Sequence, residues 1–218
     1  MKVTTDACIL GAWTPVFPGL KRVLDIGTGT GLLSLMLAQR SWEIAIDAVE
    51  IDMDAAQQAR ENFMASPWRE RLKIVEGDVR DHPFMVKYDL IICNPPFFNN
   101  SLLSNDANKM VARHTVELSN KELADVILAN LAEDGYASVL LPVTEYGVWK
   151  QLAEGGGMHE HGALLIKHRA DAEVKRIVGL FSKSEPSFME EETLVIMDGE
   201  GNYTEGFREL LKAFYLAL

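Results

Sequence analysis

The chain has 218 residues, of which 48% are apolar and 24% charged, enough for a full core in one domain and ordinary for a globular protein. A net charge of −11 argues against broad electrostatic binding of nucleic acid, which needs phosphate neutralisation by Lys and Arg, but it leaves room for a local basic patch. Two cysteines, Cys8 and Cys93, give neither a disulfide framework nor a metal spacing. No apolar run is long enough to span a bilayer, and the N-terminus carries no hydrophobic signal segment. A reducing cytoplasm fits these features.

Strands and helices alternate through the first two-thirds. Arg22–Ile26 reads as a buried strand, and Leu32–Arg40 has helical periodicity. Residues 44–50 read as a second strand. A helix over 54–65 follows, which Asp52 or Asp54 can cap. Leu72–Glu76 and Tyr88–Cys93 are the third and fourth strands. Residues 119–132 form a helix with a capping box, Ser119 and Glu122, and Gly135 marks its end. A strand over 137–141, a helix over 144–154, two β-rich stretches at 174–181 and 192–197 and a closing helix over 205–216 complete the chain. The two late strands are expected to pair antiparallel at one edge. The pattern implies an α/β chain: a mostly parallel seven-stranded sheet, an antiparallel C-terminal hairpin and helices on both faces. No linker or repeat divides it, so residues 1–218 are expected to form a single domain.

Four motifs stand at strand ends. The first is Asp25-Ile26-Gly27-Thr28-Gly29-Thr30-Gly31, between strand one and helix one. Its glycines allow a tight turn and close approach of a ligand to the backbone. Asp25 places negative charge there, which suits a ligand with a cationic amino group. The second is Glu50-Ile51-Asp52. An acid about 20 residues past a glycine loop suits ribose hydroxyls. Glu50 is preferred for that role, and Asp52 either competes for it or caps the next helix. The third is Gly77-Asp78-Val79, where Asp78 either accepts from an adenine amino group or bonds its own turn backbone. The fourth is Asn94-Pro95-Pro96-Phe97. Its prolines stiffen the path between a planar amide and an aromatic ring, an arrangement able to hold a flat, amino-bearing group. Parallel strands bring all four to one crevice.

This combination resembles the Rossmann-like, S-adenosylmethionine-dependent methyltransferases. Val23–Gly31, Val49–Asp52 and Glu76–Val79 match that family's cofactor motifs, and Asn94–Phe97 matches the catalytic motif of those acting on amino groups. The segment Met1–Ala7, then Leu10–Trp13, together with Ala112-Arg113-His114 and the ending from Tyr203, is similar to the bacterial tRNA (adenine-N6) methyltransferases that act on a valine tRNA beside its anticodon. Members usually carry a short basic-aromatic stretch ahead of Lys2-Val3-Thr4-Thr5-Asp6, which bears on tRNA affinity rather than on methyl transfer.

The resemblance implies S-adenosylmethionine as donor, S-adenosylhomocysteine as product and no metal. It implies cofactor contacts at Asp25, Gly27, Thr28, Gly29, Gly31, Glu50, Ile51, Asp78 and Val79. Thr5 and Asp6 either fold over the cofactor or cap the first helix. Asn94, Pro95, Pro96 and Phe97 are the expected catalytic residues. A tRNA partner would meet a local basic patch including Arg113, Lys167, Arg169, Lys175 and Arg176, or those residues are simply a solvated face. The Asn- and Ser-rich stretch 98–108 reads as a mobile substrate loop. His159 and His161 read as surface residues, and the chain as a monomer without a membrane partner. Alternatives are an rRNA guanine-N2 methyltransferase, a protein glutamine-N5 methyltransferase, and a cofactor-binding protein that has lost catalysis.

Overall fold

The computed structural model describes residues 3–95 and 118–217. Pro96, Phe97, Arg113 and His114, and the expected substrate loop at 98–108, lie outside the described residues. Eight strands form one sheet in the order β3-β2-β1-β4-β5-β7-β6-β8. They are β1 (Arg22–Ile26), β2 (Ala45–Glu50), β3 (Leu72–Glu76), β4 (Tyr88–Cys93), β5 (Leu131–Pro142), β6 (His159–Arg169), β7 (Val174–Ser182) and β8 (Glu190–Met197). The described helices are α1 (Thr5–Trp13), α2 (Leu32–Arg40), α3 (Met53–Ala65), α4 (Asn120–Asn130), α5 (Val143–Gly155) and α6 (Glu205–Leu211). None of them is long and apolar enough to cross a membrane.

The inner strands β1 and β4 are apolar on both sides because helices cover both faces. Side chains alternate along β4. Leu90 and Ile92 join one core cluster with Ile9 and Leu10 of α1, Leu37 of α2 and Phe63 of α3. Ile91 and Cys93 join the other with Leu123 and Ile127 of α4 and Trp149 of α5. β1 through β5 pair in parallel, so their carboxyl ends lie at one edge of the sheet. The register sets Ile26 level with Val49 on one side and with Cys93 on the other. The glycine loop, Glu50 and Asn94 therefore leave the sheet at the same height.

The last third differs from expectation. His159–Arg169 is a strand, which raises the count to eight. Its polar, histidine-bearing ends conceal an apolar centre, Ala163 to Ile166, of which Ala163, Leu164 and Ile166 are buried. The antiparallel partner of β7 is β6, together with β5 on its other side. β8 instead pairs with β6, in parallel. Gly135 does not end a helix either. α4 stops at Asn130, and Gly135 lies inside β5, where a Cβ would meet the Tyr88 carbonyl oxygen at 2.8 Å. His161 is half-buried, with Nε2 2.8 Å from the Ser184 carbonyl oxygen.

Candidate active site

The glycine loop is held from beneath. Gly27 N and Thr28 N both donate to the Val49 carbonyl, at 2.9 and 3.0 Å. Positive φ angles at Gly27 (67°), Gly29 (60°) and Gly31 (86°) turn the chain from β1 into α2. At Gly27 a Cβ would meet nothing within 4 Å, so its face is open to a ligand. At Gly31 a Cβ would lie 2.4 Å from Phe63 Cε1, so that glycine serves packing.

Asp25 is fully buried. Its Oδ2 accepts from Thr28 Oγ1 at 2.6 Å and from Ser34 Oγ and N at 2.7 and 3.2 Å. Asp25 thus fixes the loop and caps the first turn of α2 from inside the sheet. Its Oδ1 is buried and meets no hydrogen-bond partner among the described residues. Burial is the main cause that pushes its pKa up, to about 6.

Glu50 ends β2 and is 6% exposed. Oε2 accepts from Gly29 N at 2.7 Å, and Oε1 accepts from Asp52 N at 2.9 Å. An ionised carboxylate offers about four acceptor positions, so capacity remains for two hydroxyls. Asp52 is committed elsewhere: it caps α3, accepting from Ala55 N at 2.8 Å. The next side chain, Ile51, is 42% exposed and gives the crevice an apolar surface.

Gly77 N donates to the Glu50 carbonyl at 2.8 Å, which places Asp78 one strand further out. Asp78 Oδ1 accepts from Arg80 N at 2.9 Å, the local turn bond that short acidic side chains favour. The Arg80 guanidinium pairs with the same carboxylate. Val79 is buried behind it.

Beyond Cys93, Asn94 is half-buried and Pro95 buried. Asn94 Oδ1 is shielded from solvent and meets no hydrogen-bond partner among the described residues. A buried acceptor without a donor is costly, which points to a ligand donor at this place.

The N-terminal segment corrects one expectation. Thr4, not Thr5 or Asp6, caps α1, with Oγ1 accepting from Ala7 N. Thr5 is exposed in the first turn. Asp6 pairs with Arg176 at 3.5 Å, and Arg176 is level with Pro142, the last residue of β5. Asp6 therefore reaches the active edge through β7. β6 runs parallel to β5, so its end and the start of β7 carry Lys167, Arg169, Lys175 and Arg176 to that edge as well.

Among the described residues, no group of three His, Cys, Asp or Glu could hold a metal ion. What the strand ends offer is an open glycine face, a buried carboxylate with spare acceptors, an exposed apolar residue and a second carboxylate. That set fits a nucleoside bearing an amino acid chain, as in S-adenosylmethionine.

Sequence comparison carries the same reading. The profile of the methyltransferase small domain family matches residues 15–132. The chain belongs to this family. The methyltransferase is 42% identical to a protein of Tolumonas auensis over 100% of its own length and 91% of the relative's. It is 41% identical to one of Cytophaga hutchinsonii, over 100% and 92%. Both relatives are named tRNA1(Val) (adenine(37)-N6)-methyltransferase. Among solved structures, a predicted O-methyltransferase of Agrobacterium tumefaciens aligns with a TM-score of 0.70 at 15% identity, covering 95% of this chain and 96% of that one. A TehB-like SAM-dependent methyltransferase of Corynebacterium glutamicum aligns at 0.54 and 18% identity, covering 84% and 89%. These likenesses show the fold.

Two contributors escaped the sequence reading. Ser34 sits three residues past Gly31 with no motif to mark it. Arg80 had a signal: its spacing from Asp78 is that of an acid-initiated turn.

Proposed function

We propose that this methyltransferase transfers the methyl group of S-adenosylmethionine to the N6 amino group of an adenosine in a tRNA. The observation that carries the reading is the buried Oδ1 of Asn94, without a partner among the described residues and level with the open face of Gly27. The names of full-length relatives at about 40% identity support the tRNA substrate. The basic residues brought to the same edge by β6 and β7 offer phosphate contacts.

S-adenosylmethionine, when bound, supplies a methyl group on a cationic sulfur that needs no further activation. The protein's task is then placement. Glu50 accepts from ribose hydroxyls, Ile51 packs on the purine and Asp78 accepts from the purine amino group. The Gly27–Gly31 loop lets the ligand approach the backbone, and Asp25 keeps that loop in shape. Thr5 and Asp6 bound the crevice from the N-terminal side.

On the substrate side, an aromatic amine is a poor nucleophile because its lone pair is delocalised. Asn94 Oδ1 and the Pro95 carbonyl accept its two N–H bonds, which favours a tetrahedral nitrogen with its lone pair free. Of the residues outside the described ones, Pro96 is assigned the role of stiffening the chain after Pro95 and Phe97 that of a stacking partner for the base, worth about 1–3 kcal/mol. The methylated nitrogen is acidic and loses its proton to water. The base must leave its stack, which a loop permits readily. We read the chain as one domain, acting as a monomer in the cytoplasm.

The test is incubation with labelled S-adenosylmethionine and separate pools of tRNA, rRNA and protein release factors. N6-methyladenosine in tRNA alone is the expected outcome. Label in a guanine or in a protein would replace this substrate by one of the alternatives.

A further inference from the structure

The carboxylate of Asp78 is held on three sides by one residue. Oδ1 accepts from the Arg80 backbone N–H and from Arg80 Nε, both at 2.9 Å. Oδ2 accepts from Arg80 Nη2 at 2.5 Å and shares Nε at 3.0 Å. The far nitrogen of the same guanidinium, Nη1, donates to Glu122 Oε1 at 2.8 Å. Glu122 is itself fixed, since its Oε2 accepts from Ser119 N and Oγ at the start of α4. Arg80 therefore ties the end of β3 to the start of α4, and both ends of the tie are tied down.

Guanidinium is a planar fork that is always charged, so an edge-on pair fixes the plane of the carboxylate as well as its position. Three donors of Arg80 fill about three of the four acceptor positions of Asp78, which leaves one. Hydrogen bonding from Arg80 holds the Asp78 carboxyl below the usual carboxylate range, so that position accepts and does not donate. A purine with an amino group at position 6 satisfies it. A purine with a carbonyl there turns an acceptor to that position, and its edge donor, N1–H, lies one ring position away.

We propose that Arg80 is a positioning residue that sets the selectivity of this site for a 6-aminopurine nucleoside over a 6-oxopurine one, acting through Asp78. The inference rests on the reading that the crevice takes S-adenosylmethionine with its base at Asp78. It goes beyond that reading by making the selectivity a property of the Asp78–Arg80–Glu122 tie and not of Asp78 alone.

The experiment is calorimetric titration of the full chain with S-adenosylhomocysteine and with S-inosylhomocysteine, in which a carbonyl replaces the amino group. The wild type is expected to prefer the adenosyl form by about tenfold or more, the size of one hydrogen bond to a charged group. Arg80→Ala should lose most of that preference, and millimolar guanidinium ion should restore it. Arg80→Lys keeps the charge without the fork, and it should remain folded yet stay unselective. It carries the test if Arg80→Ala does not fold. Full selectivity in a folded Arg80 variant would overturn the inference and leave the proposed function standing. Equal binding of both nucleosides by the wild type would also overturn it. Failure of the wild type to bind S-adenosylhomocysteine at all would instead remove the donor reading beneath it.

Discussion

The carboxylate of Glu50 accepts the backbone N–H of Gly29 at 2.7 Å, so the acid that ends β2 and the loop that follows β1 are one unit. A second bond from Asp52 N at 2.9 Å fixes the other oxygen. Both donors belong to the chain itself, so the carboxylate is held in place from the loop on one side and from the start of α3 on the other.

Glu50→Ala should therefore reduce both stability and donor binding. It strands a buried N–H at Gly29, which costs about 1–3 kcal/mol. It also removes the acceptors proposed for the ribose hydroxyls, and donor affinity should fall about tenfold or more. Denaturant melts and calorimetric titration read the two effects separately. Unchanged affinity in a folded Glu50→Ala protein would remove Glu50 from the cofactor site.

Asn94 predicts a split between stability and activity. Its Oδ1 is buried and has no donor among the described residues, so removing it relieves an unsatisfied acceptor. Asn94→Ala should be neutral or stabilising by about 1 kcal/mol in a denaturant melt. Turnover should fall by about two to three orders of magnitude, the usual loss on removing one placed polar group. Donor affinity should stay within about twofold, because the role proposed for Asn94 is toward the acceptor substrate. Near-normal turnover in this variant would sink the proposed mechanism.

The parts of the site legible in the sequence were those written in residue type and spacing. Gly27, Gly29 and Gly31 announce positive φ, and Glu50 and Asp78 announce acids at strand ends, because local geometry demands them. Direction and partnership were not legible. Asp25 reads as charge offered to a ligand, and the sequence does not show that one of its oxygens is taken by Thr28 and Ser34. The link from Arg80 to Glu122 has no local signature, because Glu122 lies 42 positions away and only the fold brings it near. β6 was hidden for a related reason. Its end residues His159 and Arg169 are polar, and only the fold, by placing it between β7 and β8 one strand in from the edge, buries its centre.

Asp25 gives a pH dependence with a definite sign. Its folded pKa is raised to about 6 from an ordinary 3.8, mainly by burial. Between those values the native state holds a proton that the unfolded chain releases, so this group's contribution to stability grows as pH falls from 7 towards 4. From pH 7 to pH 5 the gain is about 1 kcal/mol. Glu122, lowered to about 2 chiefly by its Ser119 hydrogen bonds, works in the opposite sense, but its contribution is lost only below its ordinary value of 4.5. Urea melts at pH 7 and pH 5 should show the wild type gaining relative to Asp25→Asn by that amount. An equal response in both proteins would mean that Asp25 does not titrate in this window.

Two glycines of one loop should fail differently when given a methyl group. Gly31 sits at φ 86° with Phe63 Cε1 only 2.4 Å from the place its Cβ would take, and Phe63 is 2% exposed. Gly31→Ala should cost about 2–4 kcal/mol, from left-handed strain and from overpacking. Adding Phe63→Leu should recover part of the packing cost and none of the strain. Gly27 sits at φ 67° with nothing within 4 Å. Gly27→Ala should cost only the strain, about 1 kcal/mol, while its methyl group fills the open face of the loop. Donor affinity should then fall about tenfold or more in a protein that melts almost normally. If Gly27→Ala instead lost stability and kept donor affinity, the open face beside Asn94 would not be where the donor lies.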